Sequence, residues 1–451
     1  MDARPASAPP AAPVAAAPLM PEFYYPAPAQ WPALHARPAA AADAVAGRVA
    51  EIFAAVAAQG DEALRAFTQQ FDGAALSALW ASPAELAGAA AQVPAELQAA
   101  IRQARANIET FHAAQAQPEQ RVETQPGVQC WRRAVPVPRV GLYVPGGSAP
   151  LFSTLLMLGV PARLAGCPDI VVATPPRPDG TVPPVILFVA ELLGITRVLK
   201  VGGAQAVAAL ALGTATVPAV DKLFGPGNRY VTAAKQLAAR CGVAIDMPAG
   251  PSEVLVIADA TASPAFVAAD LLSQAEHGPD SQVILLTDAP ELLPAVLREV
   301  ERQLAALPRQ AVARQALAAS RAVLLPDAAA MLRFSNQYAP EHLILAVAAP
   351  EALAAGVTNA GSVFLGHLTP EAVGDYASGT NHTLPTGGHA RAYSGVSLDS
   401  FVKKITFQRL SEAGVRALAP TVECMAEAEG LRAHAQAVAL RREAVAVNSK
   451  Q

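Results

Sequence analysis

From Val135 to about Val347 the chain alternates short β-branched runs with helix-length segments, and nothing else in it constrains the fold as tightly. RVGLYVP, DIVVATP, RVLKV, KLFG and VAID form one series. EVLVIAD, QVILLTD, AVLLP and HLILAV form a second, beginning at about Ser252, with a helix after its first strand opened by Ser263 and Pro264. Strands separated by helices cross over in parallel and are covered on both faces. The expected fold class is therefore α/β, with two incomplete Rossmann-like parallel-sheet domains and small helical accessory segments at the N- and C-terminal ends. The similar build of the two units suggests a duplication, although no sequence repeat accompanies it.

The expected division is a disordered Ala/Pro-rich tail over residues 1–30 and an N-terminal helical region over 31–134 that packs on the second α/β unit. The two α/β units follow over 135–251 and 252–380, then a C-terminal loop and helical tail over 381–451. With 451 residues, 53% of them hydrophobic, the chain can bury more than one core. A net charge of -4 without a basic stripe argues against nucleic acid and anionic membrane as partners and leaves small molecules. No stretch reaches the roughly 18 apolar residues of a membrane span. The four cysteines, Cys130, Cys167, Cys241 and Cys424, lack CxxC pairing, which points to a reducing, cytoplasmic setting; each is expected to pack as a small hydrophobe.

Three Gly-rich turns, in GLYVPGGSAP, VGGAQAVAAL and FGPGNRYV, each join an expected strand to a helix. Glycine there lets backbone amides and a helix N-terminus approach phosphate, although Gly also serves ordinary βα turns. In series they suggest a Rossmann-like cofactor cleft over 135–251, with Tyr143 available to stack or bond and Gln205 and Asn228 as polar contacts.

Gln274 and His277, three residues apart where the helix from Pro264 stops at Gly278-Pro279, can grip one cation at the negative end of the helix dipole. Asp375 in GDYASGTNH and His434 complete a set of two imidazoles, a carboxylate and an amide. That set suits zinc, and a harder metal such as manganese takes the same ligands. The competing reading of Gln274 and His277 is that they cap helix carbonyls. Glu341 and His342 follow Pro340 and precede the strand LILAV, which places an acid and a base at a strand mouth: Glu341 to activate a water, His342 to shuttle protons. His382 lies within reach in the long loop after Val363, whereas His35 and His112 are expected at the surface.

The strings RVGLYVPGGSAPLFSTLLMLGVPARLAGC, GGAQAVAALALGT, KLFGPGNRYVTAAK, DMPAGPSEVLVIAD, DLLSQAEHGPDSQ, APEHL and EAVGDYASGTNHTLPT together resemble the histidinol dehydrogenase family, in its order, from about Gly60 to His434. The resemblance implies a zinc- and NAD-dependent four-electron oxidation of L-histidinol to L-histidine through a bound aldehyde. It implies Gln274, His277, Asp375 and His434 as zinc ligands and Glu341 and His342 as the acid/base pair. Tyr143, Gln205 and Asn228 match NAD contacts; Ser252 and Glu429 match substrate contacts, which the metal ligands and His342 share. It also implies a homodimer whose C-terminal segment reaches the partner's site. Glu429 and His434 are five residues apart, so facing one ligand requires an irregular turn, for which Gly430 is placed. Oxidation of another small alcohol by the same machinery is the alternative. A zinc hydrolase, which leaves the three Gly-rich turns without a purpose, is a remoter one.

Overall fold

The computed structural model describes residues 19–38, 42–146, 150–248 and 250–448. In the first unit, five parallel strands stand in the spatial order Arg197–Leu199, Asp169–Ala173, Arg139–Tyr143, Lys222–Phe224, Ala244–Ile245. Numbered along the chain within the unit this is 3-2-1-4-5, the doubly wound order without its last strand. Direction reverses between Arg139–Tyr143 and Lys222–Phe224, and the loops leaving their carboxyl ends part there to open a crevice.

The second unit repeats that order with Arg321–Leu324, Gln282–Thr287, Glu253–Ala258, His342–Ala346 and Ser362–Leu365. All six residues of Glu253–Ala258 and of Gln282–Thr287 are buried, as strands covered on both faces must be. Each fully buried Val, Leu or Ile there contributes about 1.5–3 kcal/mol of transfer free energy.

Three features differ from the sequence expectation. Residues 1–18 of the expected tail lie outside the described residues. The rest is ordered: Glu22–Tyr24 adds a strand to the Arg321–Leu324 edge, and Met20, Trp31 and Leu34 are buried in the second unit. The N-terminal helical region packs mainly on the first unit, not the second. Helices Ala42–Gln59 and Asp61–Asp72 lie on Gly203–Leu212, and Ala95–Ala113 lies on the almost wholly buried Phe152–Leu164. Arg121–Gln125 and Val128–Pro136, placed within that region, are instead strands of an antiparallel sheet completed by Val402–Leu410. Trp131 and Phe407 stack across this sheet at 5.4 Å.

Helices Glu412–Ala428 and Arg432–Asn448 pack chiefly against each other, tied by Arg442 and Glu423 at 2.9 Å, and form an arm beyond the small sheet. The break between them is at Gly430, whose φ of 74° is left-handed. Among the described residues no helix is long and apolar enough to cross a membrane. Cys167 is buried as expected, but Cys241 and Cys424 are exposed. His112 is buried rather than at the surface, bonding the Ile108 carbonyl at 2.9 Å.

Candidate active site

The strand His342–Ala346 begins beside the start of Glu253–Ala258, and the main chain of Glu253 holds both residues of the acid/base pair. Its N–H donates to Glu341 Oε2 at 2.8 Å, and its carbonyl accepts from His342 Nδ1 at 3.1 Å. The bond to Nδ1 fixes the tautomer and leaves His342 Nε2 pointing inward, buried and without a hydrogen-bond partner, with Asp375 Oδ1 3.5 Å away. Both side chains are buried. Burial pushes the Glu341 carboxyl up to about 8. Burial works to lower His342, but Glu371, Glu341 and Asp375 outweigh it and hold the imidazole up at about 10.

Helix Pro264–Ala275 supplies Gln274 in its last turn, and His277 lies just beyond its end. Gln274 is completely buried, yet neither Oε1 nor Nε2 has a hydrogen-bond partner. An unsatisfied buried amide costs about 1–3 kcal/mol, so the fold alone does not account for this side chain, and capping of carbonyls is not what it does. The short helix Glu371–Tyr376 presents Glu371 and Asp375 four residues apart on one face. His277, Glu371 and Asp375 each offer a ligand atom, all within 4.8 Å of one another. Protein atoms crowd His277, and that desolvation lowers its pKa and favours the neutral, metal-binding imidazole. One imidazole, two carboxylates and an unpaired amide make a donor set that fits zinc or another divalent cation.

Glu371 was not anticipated. It is buried, its Oε1 lies 3.8 Å from His342 Nδ1, its Oε2 has no partner, and burial raises it to about 8. Its spacing from Asp375 was the available signal. His382, in the loop, bonds the Asp375 carbonyl through Nδ1 at 2.9 Å and approaches Thr154 Oγ1 through Nε2 at 3.3 Å, linking this group to the first unit. Ser252 immediately precedes Glu253, at the same strand ends. Glu253 was also missed; its carboxylate pairs with Arg37 and accepts from Gly387 N at 3.0 Å. Glu429 and His434 are not brought to this group by their own chain: both are exposed on the C-terminal arm.

Tyr143, Gln205 and Asn228 line one cleft of about 790 Å³ at the switch point of the first sheet. Tyr143 accepts from Gly203 N at 3.1 Å, and Asn228 Oδ1 caps helix Arg229–Arg240 by accepting from Tyr230 N at 3.0 Å. Gly225, at φ 126°, is held so close to Tyr143 that a Cβ there would overlap the Tyr143 carbonyl oxygen.

A protein-family model described as histidinol dehydrogenase matches residues 35–442. The chain belongs to the histidinol dehydrogenase family. Histidinol dehydrogenase of Bacteroides thetaiotaomicron is 53% identical over 423 residues, covering 94% of this chain and 99% of that protein. The Xylella fastidiosa histidinol dehydrogenase is 59% identical over 383 residues, covering 85% and 89%. The crystal structure of histidinol dehydrogenase from Elizabethkingia anophelis superposes with a TM-score of 0.93 at 53% identity, covering 95% of this chain and 99% of that one. The two-unit α/β architecture is thus that of a solved histidinol dehydrogenase.

Replacing Glu371 by Gln in this chain is expected to lower kcat and metal content together by about 10–100-fold, since it removes one charge from the cluster while keeping its volume. Metal analysis beside initial rates checks this, and undiminished metal content would remove Glu371 from the ligand group.

Proposed function

We propose that the chain oxidises L-histidinol to L-histidine with NAD and zinc, in the cytoplasm, as a homodimer with shared active sites. The observation that carries this reading is the convergence of an acid, a base and a metal-type donor set at the starts of two neighbouring strands. The second unit uses its strand beginnings there, and the first unit contributes the cleft at its carboxyl ends. Gln274, His277 and Asp375, with Glu371 beside them, would hold zinc together with His434 of the partner subunit. Zinc, when bound, supplies a Lewis acid for the substrate's amine and imidazole nitrogens and a positive charge that offsets the carboxylates holding His342 protonated. NAD, when bound near Tyr143, Gln205 and Asn228, accepts one hydride in each of two successive oxidations.

The chain's own residues perform the proton chemistry. His342 Nε2 takes the carbinol proton as the hydride leaves, while the Glu253 carbonyl keeps Nδ1 protonated and the ring fixed. Glu341 takes a proton from the water that adds to the aldehyde carbon. His342, having passed its first proton to solvent, takes a hydroxyl proton of the hydrate as the second hydride leaves, giving the carboxylate. Ser252 and the partner subunit's Glu429 would hold the substrate. Burial of Glu341 and His342 keeps bulk water away from the aldehyde between the two steps.

The test is the NADH formed per L-histidinol consumed by zinc-loaded protein with excess NAD. Two per substrate, lost on chelation and restored by zinc, is expected. One per substrate would reduce the reading to an alcohol dehydrogenase that releases aldehyde, and none would refute it.

A further inference from the structure

Asp72 ends helix Asp61–Asp72 and lies on the wall of the same cleft as Tyr143 and Gln205. Its Oδ2 is buried without a hydrogen-bond partner, and burial raises the carboxyl to about 6. The wall also holds two arginines. Arg48 is engaged by Glu51 one turn along its own helix at 2.7 Å, and Arg177 lies in the turn beyond the second strand of the unit. A second polar group on this wall, Thr174 Oγ1, is likewise buried and unpartnered, on a residue with no exposed surface. An unsatisfied carboxylate oxygen and an unsatisfied hydroxyl on the walls of one cleft cost stability and serve no packing purpose.

Thr174 directly follows Asp169–Ala173, the second strand in chain order of its unit. In doubly wound units an acid at this strand's end accepts from the ribose 2′-hydroxyl of the adenosine half and so admits NAD over NADP. Here the strand runs into Thr174-Pro175-Pro176, with no acid. The structure places one on the wall of the same cleft from outside the sheet, on the N-terminal helical layer.

We infer that Asp72 binds the adenosine ribose diol of the dinucleotide and selects NAD against NADP. This rests on the proposed reading of the cleft as the NAD site. The diol offers two O–H donors to a carboxylate, whereas a 2′-phosphate would bring a second anion against it. The adenosine half is assigned to Asp72 because Thr174, which lines the same cleft, directly follows the second strand of the unit, where doubly wound units hold that ribose.

The experiment is calorimetric titration of the full-length protein, wild type, Asp72→Asn and Asp72→Ala, with NAD, NADP, ADP-ribose and nicotinamide mononucleotide. Expected in both variants are Kd values for NAD and ADP-ribose raised roughly tenfold or more, an unchanged or tighter Kd for NADP, and unchanged mononucleotide binding. Ligand-free Asp72→Asn is expected to melt no lower than wild type, because it loses a poorly solvated charge. Equal weakening toward NAD and NADP, unchanged NAD binding, an effect confined to the mononucleotide, or a lower melting temperature would each overturn the assignment. Gln205→Ala separates the two levels of failure: if it weakens NAD while Asp72→Asn does not, only Asp72 is misassigned. If neither variant alters NAD binding, the cleft reading itself fails.

Discussion

Glu341→Gln is expected to carry out the first oxidation of L-histidinol at a rate near wild type and to lose the second by about 10²–10⁴-fold, the range for removing a general base. Gln keeps an oxygen that can accept from Glu253 N, so the strand mouth and the His342 ring held from the same residue should stay in place. What is lost is the base that takes a proton from water, needed only once the aldehyde has formed. The readout is one NADH per active site followed by a stall, and slow turnover of L-histidinaldehyde supplied directly. Equal loss of both half-reactions would remove water activation from Glu341 and give it a part in positioning His342.

His277→Asn and His434→Asn homodimers are each expected to fall roughly 100-fold or more in activity and to bind zinc poorly, yet to restore activity when refolded together. Pairing at random makes half of the dimers mixed, and a mixed dimer has one site with both imidazoles intact, so about a quarter of wild-type sites should reappear. The ground for this is structural: His277 stands beside Glu371 and Asp375, whereas His434 is exposed on an arm that packs chiefly on itself and on the small sheet. Failure of the mixture to exceed its parents, with dimers verified by sedimentation, would mean that the arm does not complete a neighbour's site.

Strand and helix alternation exposed both parallel sheets because strands covered on both faces are dominated by Val, Ile and Leu beyond their first residues. The antiparallel sheet escaped notice because Val128–Pro136 and Val402–Leu410 pair across a long stretch of chain, and their half-exposed residues lack an apolar signature. An amphipathic helix declares a buried face without naming what covers it, so the N-terminal helices were placed on the wrong unit. His112, expected at the surface, continues the buried stripe of Ile101, Ala104 and Ile108, and that spacing was the signal that it is interior. Gln274, His277, Asp375, Glu341 and His342 were legible as polar residues that no core needs. Glu253 and Glu371 were not, since one opens an apolar strand and the other resembles an ordinary acid in a helix's first turn.

The two units share a strand order but lend opposite ends of it to the site. In most parallel-sheet enzymes the reacting groups ride on loops beyond the carboxyl ends, where insertions recast specificity without disturbing the scaffold. Here the acid, the base and the residue that grips both are set at strand beginnings, registered by the ladder that pairs His342 with Val254. Such groups cannot drift without unpicking the sheet, so this half of the site offers evolution little room to try new substrates. If the arm completes a neighbour's site as proposed, innovation would enter there, where a substitution would alter a neighbour's chemistry and leave its own subunit's core untouched.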